Sequence, residues 1–67
     1  MAQLDLRYIK KRRKKLELSL QEVAQGLGFK NASTYLKYEN GEYSFKATML
    51  PKLANILDCK IENFFTN

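Results

Sequence analysis

The amino-acid sequence predicts an all-α fold: one compact domain of five short helices, organised around two tightly joined helices near its middle. Three observations carry that expectation. Apolar residues make up 45% of the 67-residue chain and recur at helical spacing, which favours a packed globule over disorder. Helix-start and helix-stop signals bracket residues 19–41, from Ser19 to the Asn40–Gly41 pair. Leu50, Leu53, Ala54 and Leu57 stand at i, i+3, i+4 and i+7, the cleanest amphipathic stripe in the chain. A single domain of this length lies near the lower end of what a hydrophobic core alone can hold together.

The first helix is expected over residues 4–16, which hold no Gly or Pro and are rich in helix formers. Leu6, Ile9, Arg13 and Leu16 fall on one face. Arg13 is the odd member, because a guanidinium on a core-facing stripe needs a partner: an unpaired buried charge costs several kcal/mol. Arg7, Lys10, Lys11 and Lys14 occupy the remaining circumference, either as a solvated face or as contacts to phosphate.

The second helix is expected over residues 20–26. Ser19 with Glu22 three residues later fits a capping box, and Leu18 stands where a hydrophobic staple would. Val23, Ala24 and Leu27 give its inward face. Gly26 and Gly28 end it, Gly28 suiting a left-handed position beyond the last turn. Phe29 then enters the core, and residues 30–33 lead into a third helix over 32–39. Ala32, Tyr35 and Tyr38 face inward. Asn31, Ser33, Thr34 and Lys37 are left outside, flanked by Leu36 and Asn40, while Glu39 lies near the inner face.

Residues 42–47 form a loop carrying Tyr43 and Phe45. Thr48 is the best cap for a fourth helix over 49–57, which puts Pro51 at its third position, where a missing N–H breaks no intrahelical bond. Ile61, Phe64 and Phe65 imply a last helix over 61–65, completing the core or offering an apolar surface to a second subunit.

Composition narrows the function. The net charge is +5, and seven of the twelve basic residues fall between Arg7 and Lys15, which points to a polyanion: nucleic acid first, an acidic membrane surface second. The first helix lacks the bulky apolar wedge of a membrane-surface helix. Cys59, the single cysteine, cannot form an internal disulfide and is expected as a small buried apolar residue. With no histidine and one cysteine the usual zinc ligands are missing, so no metal and no cofactor are expected. The chain also lacks a Gly-rich phosphate loop and a G-x-S-x-G elbow, so neither an enzyme nor a small-molecule substrate is expected. It shows no apolar run of membrane-spanning length and no signal-peptide core, which leaves the cytoplasm as the expected compartment, without a membrane partner.

From Leu6 to Phe65 the pattern resembles the phage repressor/Cro-type helix-turn-helix family, the xenobiotic-response-element-like regulators. The pieces are Ile9 and Arg13, S-L-Q-E-V-A over 19–24, L-G-F over 27–29, S-T-Y over 33–35 and Y-E-N-G over 38–41. L-x-x-L-A-x-x-L over 50–57 and I-E-N-F-F over 61–65 follow. The resemblance implies a five-helix, lambda-repressor-like DNA-binding domain over residues 4–66, with its third helix in the major groove of double-stranded DNA. It further implies a transcriptional regulator, a repressor before an activator, acting as a homodimer.

Carried over by position, base readout falls to Asn31, Ala32, Ser33, Thr34 and Lys37. Phosphate contact falls to Gln21, Lys30, Asn40, Tyr43 and Lys46. Arg13 and Glu39 match a structural ion pair of the family, and Ile61, Phe64 and Phe65 are the candidate dimer contacts. The chain departs from the family pattern in four places. An extra residue sits near Lys30–Asn31, Leu20 replaces the usual Gln after the capping Ser, Leu36 is apolar, and Lys46 stands where a capping Ser is common. Leu20 and Leu36 motivate a second reading, a protein-interaction module that keeps the fold but has lost DNA reading.

Overall fold

Capping chemistry sets where each helix begins and ends in the computed structural model, which describes residues 3–66. In chain order these form β1 (Gln3–Leu4), α1 (Leu6–Lys15), α2 (Leu20–Gly26), α3 (Ala32–Glu39), α4 (Met49–Ile56), a 3-10 turn (Ile61–Phe64) and β2 (Phe65–Thr66). The two central helices have the bounds expected from their caps.

The two ends of the chain depart from the all-helical expectation. Residues 3–4 and 65–66 pair as a two-residue antiparallel ladder, Gln3 opposite Thr66 and Leu4 opposite Phe65. The reason is Asp5. It sits in extended geometry and its carboxylate accepts the Tyr8 N–H at 3.1 Å, so α1 cannot start before it. The Asp5 N–H then donates to the Phe64 carbonyl and draws the C-terminal segment alongside. The expected fifth helix is accordingly a single 3-10 turn, and Phe65 already has extended geometry, φ −113° and ψ 141°. The described residues therefore hold four α-helices rather than five.

All four α-helices end in the same motif, in which the first residue past the cap takes positive φ. Those residues are Glu17 (58°), Gly28 (90°), Gly41 (87°) and Asp58 (50°). In each, the next N–H reaches back to the carbonyl of the third-last helical residue: Leu18 to Arg13, Phe29 to Ala24, Glu42 to Lys37, Cys59 to Ala54. These are Schellman closures, which satisfy carbonyls the helix itself leaves free. A Cβ added to Gly28 would meet nothing within 4 Å, so only backbone strain opposes it. Gly28→Ala should therefore lower the unfolding free energy by about 1–2 kcal/mol, the cost of a left-handed non-glycine residue, measured by urea denaturation.

The start of α4 is a smaller correction. Thr48 holds the capping position, but its side chain makes no capping bond. The Met49 and Leu50 N–H groups bond instead to the Lys46 and Ala47 carbonyls, at 2.9 and 3.3 Å. A backbone turn thus takes the part expected of the hydroxyl.

The core consists of Ile9 from α1, Val23 and Ala24 from α2, Tyr35 from α3, Leu53, Ala54 and Leu57 from α4 and its cap, and Phe64. Phe64, expected as a dimer contact, is fully buried and packs edge-on against Tyr8 at 6.1 Å. It has no surface to offer a second subunit. Ile61 and Phe65 are exposed. Cys59 is half-buried.

Arg12 has a role that helical periodicity does not assign. Its Nε donates to the Leu57 carbonyl and its Nη2 to the Asp58 carbonyl, both at 2.8 Å, which locks the C-terminus of α4 onto α1. A guanidinium suits that position, since it faces the negative end of the helix dipole. Arg12→Ala removes two charge-assisted bonds and should cost about 1.5–3 kcal/mol, read as a lower melting midpoint.

Candidate nucleic-acid interface

The site is built on the pair α2–α3. At the start of α2 the capping box is complete: Ser19 Oγ accepts the Glu22 N–H and Glu22 Oε1 accepts the Ser19 N–H, each at 3.0 Å. The Ser19 N–H, and after it the Ser19 side chain, favour the ionised acid and hold the Glu22 carboxyl below its ordinary range. Leu18 and Leu20 are half-buried and pack against the core, which anchors this helix end. Gln21 beside them is exposed. Gly28 turns the chain, and Phe29 stacks on Tyr38 with ring centres 5.3 Å apart. The aromatic series continues through Phe45, 5.3 Å from Tyr38, and Tyr43, 5.4 Å from it. The loop after α3 is thereby glued to the helix it follows.

The front of α3 is a closed hydrogen-bond cluster. Asn31 caps the helix: its Oδ1 accepts the Thr34 N–H at 3.1 Å, and the Ser33 and Thr34 hydroxyls at 2.9 Å each. Three residues expected to read bases therefore lie together, but Asn31 spends its acceptor, and Ser33 and Thr34 their hydroxyl hydrogens, on one another. The hydroxyl lone pairs and the Asn31 amide nitrogen are the groups left for a ligand. Ala32 opens the helix half-buried, Ser33 is exposed and Thr34 is half-buried.

Further along, Lys37 is exposed, with Nζ 5.5 Å from the centre of the Tyr43 ring. A cation over an aromatic face is attracted to it, so the loop biases where the lysine rests. Asn40 caps the end of α3, and Lys30 and Lys46 are exposed on either side of the helix in sequence. Leu36 is half-buried, as Leu20 is. Neither belongs to the exposed large apolar side chains among the described residues, which are Tyr43, Ile61 and Phe65. The apolar front patch that motivated an interaction-module reading is thus smaller than expected.

The back of α3 is tied to α1. Arg13 Nε and Nη2 donate to the two carboxylate oxygens of Glu39, both at 2.9 Å, and Arg13 Nη1 donates to the Leu18 carbonyl at 3.1 Å. Both side chains are buried, Arg13 at 8% and Glu39 at 4% exposure. The bonds to Glu39 push the Arg13 pKa further up, so the guanidinium stays charged. The buried Tyr35 hydroxyl has no hydrogen-bond partner among the described residues. Its pKa is raised, first by burial and then by the Glu39 charge.

Arg12 is the residue that sequence reasoning misses. It stands three residues after Ile9, on the edge of the buried stripe, and that spacing is the available signal. No helix among the described residues is long and apolar enough to cross a membrane. Across residues 9–64 the chain matches a family model described as helix-turn-helix. Among curated proteins, none matches it.

Proposed function

The chain belongs to the Cro/C1-type helix-turn-helix family of DNA-binding regulatory domains, and from that premise we propose that it binds duplex DNA sequence-specifically, with α3 in the major groove. The observation that carries the reading is the presentation of α3. Its inner face is anchored by Tyr35 and the Glu39–Arg13 pair, while Ser33, Lys37 and Asn40 stand exposed along it. Asn31, Ala32, Ser33, Thr34 and Lys37 are the base-reading set. Lys37 is the group suited to a guanine edge, and Ala32 to a thymine methyl. Gln21, Lys30, Asn40, Tyr43 and Lys46 supply phosphate contacts. A unit this small makes few base contacts, so two copies on a two-fold operator would raise specificity, and Ile61 and Phe65 are the exposed apolar residues available for that pairing. Repression by occupying promoter DNA is the regulatory outcome this arrangement serves.

Titration of duplex DNA by fluorescence anisotropy at two salt concentrations tests the reading, because phosphate contact releases counterions and must weaken as salt rises. Absence of binding at low salt, or indifference to salt, would overturn it. Lys37→Ala should reduce affinity for a selected site by about 1–3 kcal/mol and relax the base preference at one position. A uniform loss over all sequences would reassign Lys37 to phosphate.

A further inference from the structure

The exposed residues of α1 form a second charged surface. Arg7, Lys10, Lys11, Lys14 and Lys15 are all exposed, and they stand at i, i+3, i+4, i+7 and i+8, a continuous stripe along one side of the helix. α1 holds no acidic residue, and among the described residues the stripe takes part in no ion pair. Neighbours at these spacings repel one another and weaken the helix. The surface thus lowers the stability of the free domain in a way that an added polyanion would relieve.

The stripe faces away from the reading helix. α1 and α3 meet through Arg13 and Glu39. Around α1 from Arg13, Lys11 and Lys15 lie about 160° away, Arg7 about 120°, Lys14 about 100° and Lys10 about 60°, while Lys37 lies about 160° around α3 from Glu39. The centre of the stripe and the reading face therefore point in diverging directions, and a duplex seated on α3 leaves Arg7, Lys11 and Lys15 open.

We propose that the α1 stripe is a second, sequence-independent contact for duplex DNA phosphate, so that one domain joins two duplex segments. This rests on the DNA-binding reading of α3. The stripe spans about 12 Å, and that length of duplex carries about seven phosphates, enough to face five cations. Tyr8, the one aromatic residue of α1, is half-buried and packs against Phe64, so the stripe has no free ring on which single-stranded bases would stack. Leu6 and Ile9, on the apolar side of α1, pack into the core, so no apolar wedge is presented to a bilayer.

The test uses two mixed-sequence duplexes, one carrying a donor dye and one an acceptor, with the full chain and a Lys10→Gln, Lys11→Gln, Lys14→Gln, Lys15→Gln variant. At low salt the unmodified protein should produce energy transfer between duplexes. The variant should still raise the anisotropy of one duplex but lose the transfer, and its melting temperature should hold or rise. Undiminished transfer in the variant would overturn the proposal and assign the joining to paired reading heads. Loss of single-duplex binding in the variant would also overturn it, by making α1 the primary face. Binding of the unmodified protein to anionic vesicles but not to DNA would overturn both this proposal and the DNA reading. Absence of single-duplex binding by the unmodified protein alone is the failure of the α3 reading.

Discussion

Replacing Arg13 with alanine should lower the unfolding free energy by about 3–5 kcal/mol, because the substitution leaves the Glu39 carboxylate buried without its counter-charge. Glu39 is 4% exposed and receives two parallel 2.9 Å bonds from one guanidinium, so water cannot easily take the place of either. A core of this size supplies only about 3–5 kcal/mol in total, so the variant should be largely unfolded at physiological temperature. Arg13→Lys should recover little, since an ammonium cannot present the planar fork that both oxygens and the Leu18 carbonyl require. The double variant Arg13→Met, Glu39→Leu should be more stable than Arg13→Ala, because no stranded charge is left. Urea denaturation of the four proteins checks this, and an Arg13→Ala variant melting with the parent would remove the buried-pair argument. The pair joins α1 to the last residue of α3. Loss of DNA affinity beyond the loss of folded protein would show that it also aims the helix.

How far the fold can be read in the sequence depends on whether a local signal uses its usual residue. Ser19 and Glu22 are the preferred pair for a capping box, and Gly28 and Gly41 the preferred residues for positive φ, so α2 and α3 are legible to the residue. The same closure at Glu17 and Asp58 is harder to see, because Glu carries no left-handed preference and Asp a far weaker one than Gly. Asp5 escapes notice as a cap because residues 4–16 look uniformly helical. The strand pair it sets up spans only two residues on each side, too few for an alternating pattern to register. At the candidate site, helical periodicity places Asn31, Ser33 and Thr34 together on the outer side. It carries no information about hydrogen bonds among them, and those bonds decide which groups stay free for a ligand.

Phe64→Ala should cost about 3–5 kcal/mol, while Phe65→Ala, one residue on, should cost well under half as much. The sequence treats the two rings alike, but burial separates them: Phe64 is fully enclosed, and Phe65 is 39% exposed. Phe64 fills the space where the 3-10 turn meets α1 and α4, and its ring lies edge-on to Tyr8. Its backbone carbonyl also holds the Asp5 N–H, next to the cap that starts α1. Removing the ring therefore leaves a cavity under the helix that carries Arg12 and Arg13, and both of their tethers depend on where that helix sits. Phe65 and Ile61 project outward from the same segment. If two copies pair there, Phe65→Ala should move the urea midpoint in a protein-concentration-dependent way, whereas the Phe64→Ala loss should persist at every concentration. Equal losses from the two alanine variants would mean that burial does not separate the two rings, and a larger loss from Phe65→Ala that the enclosed and exposed rings have been assigned the wrong way round.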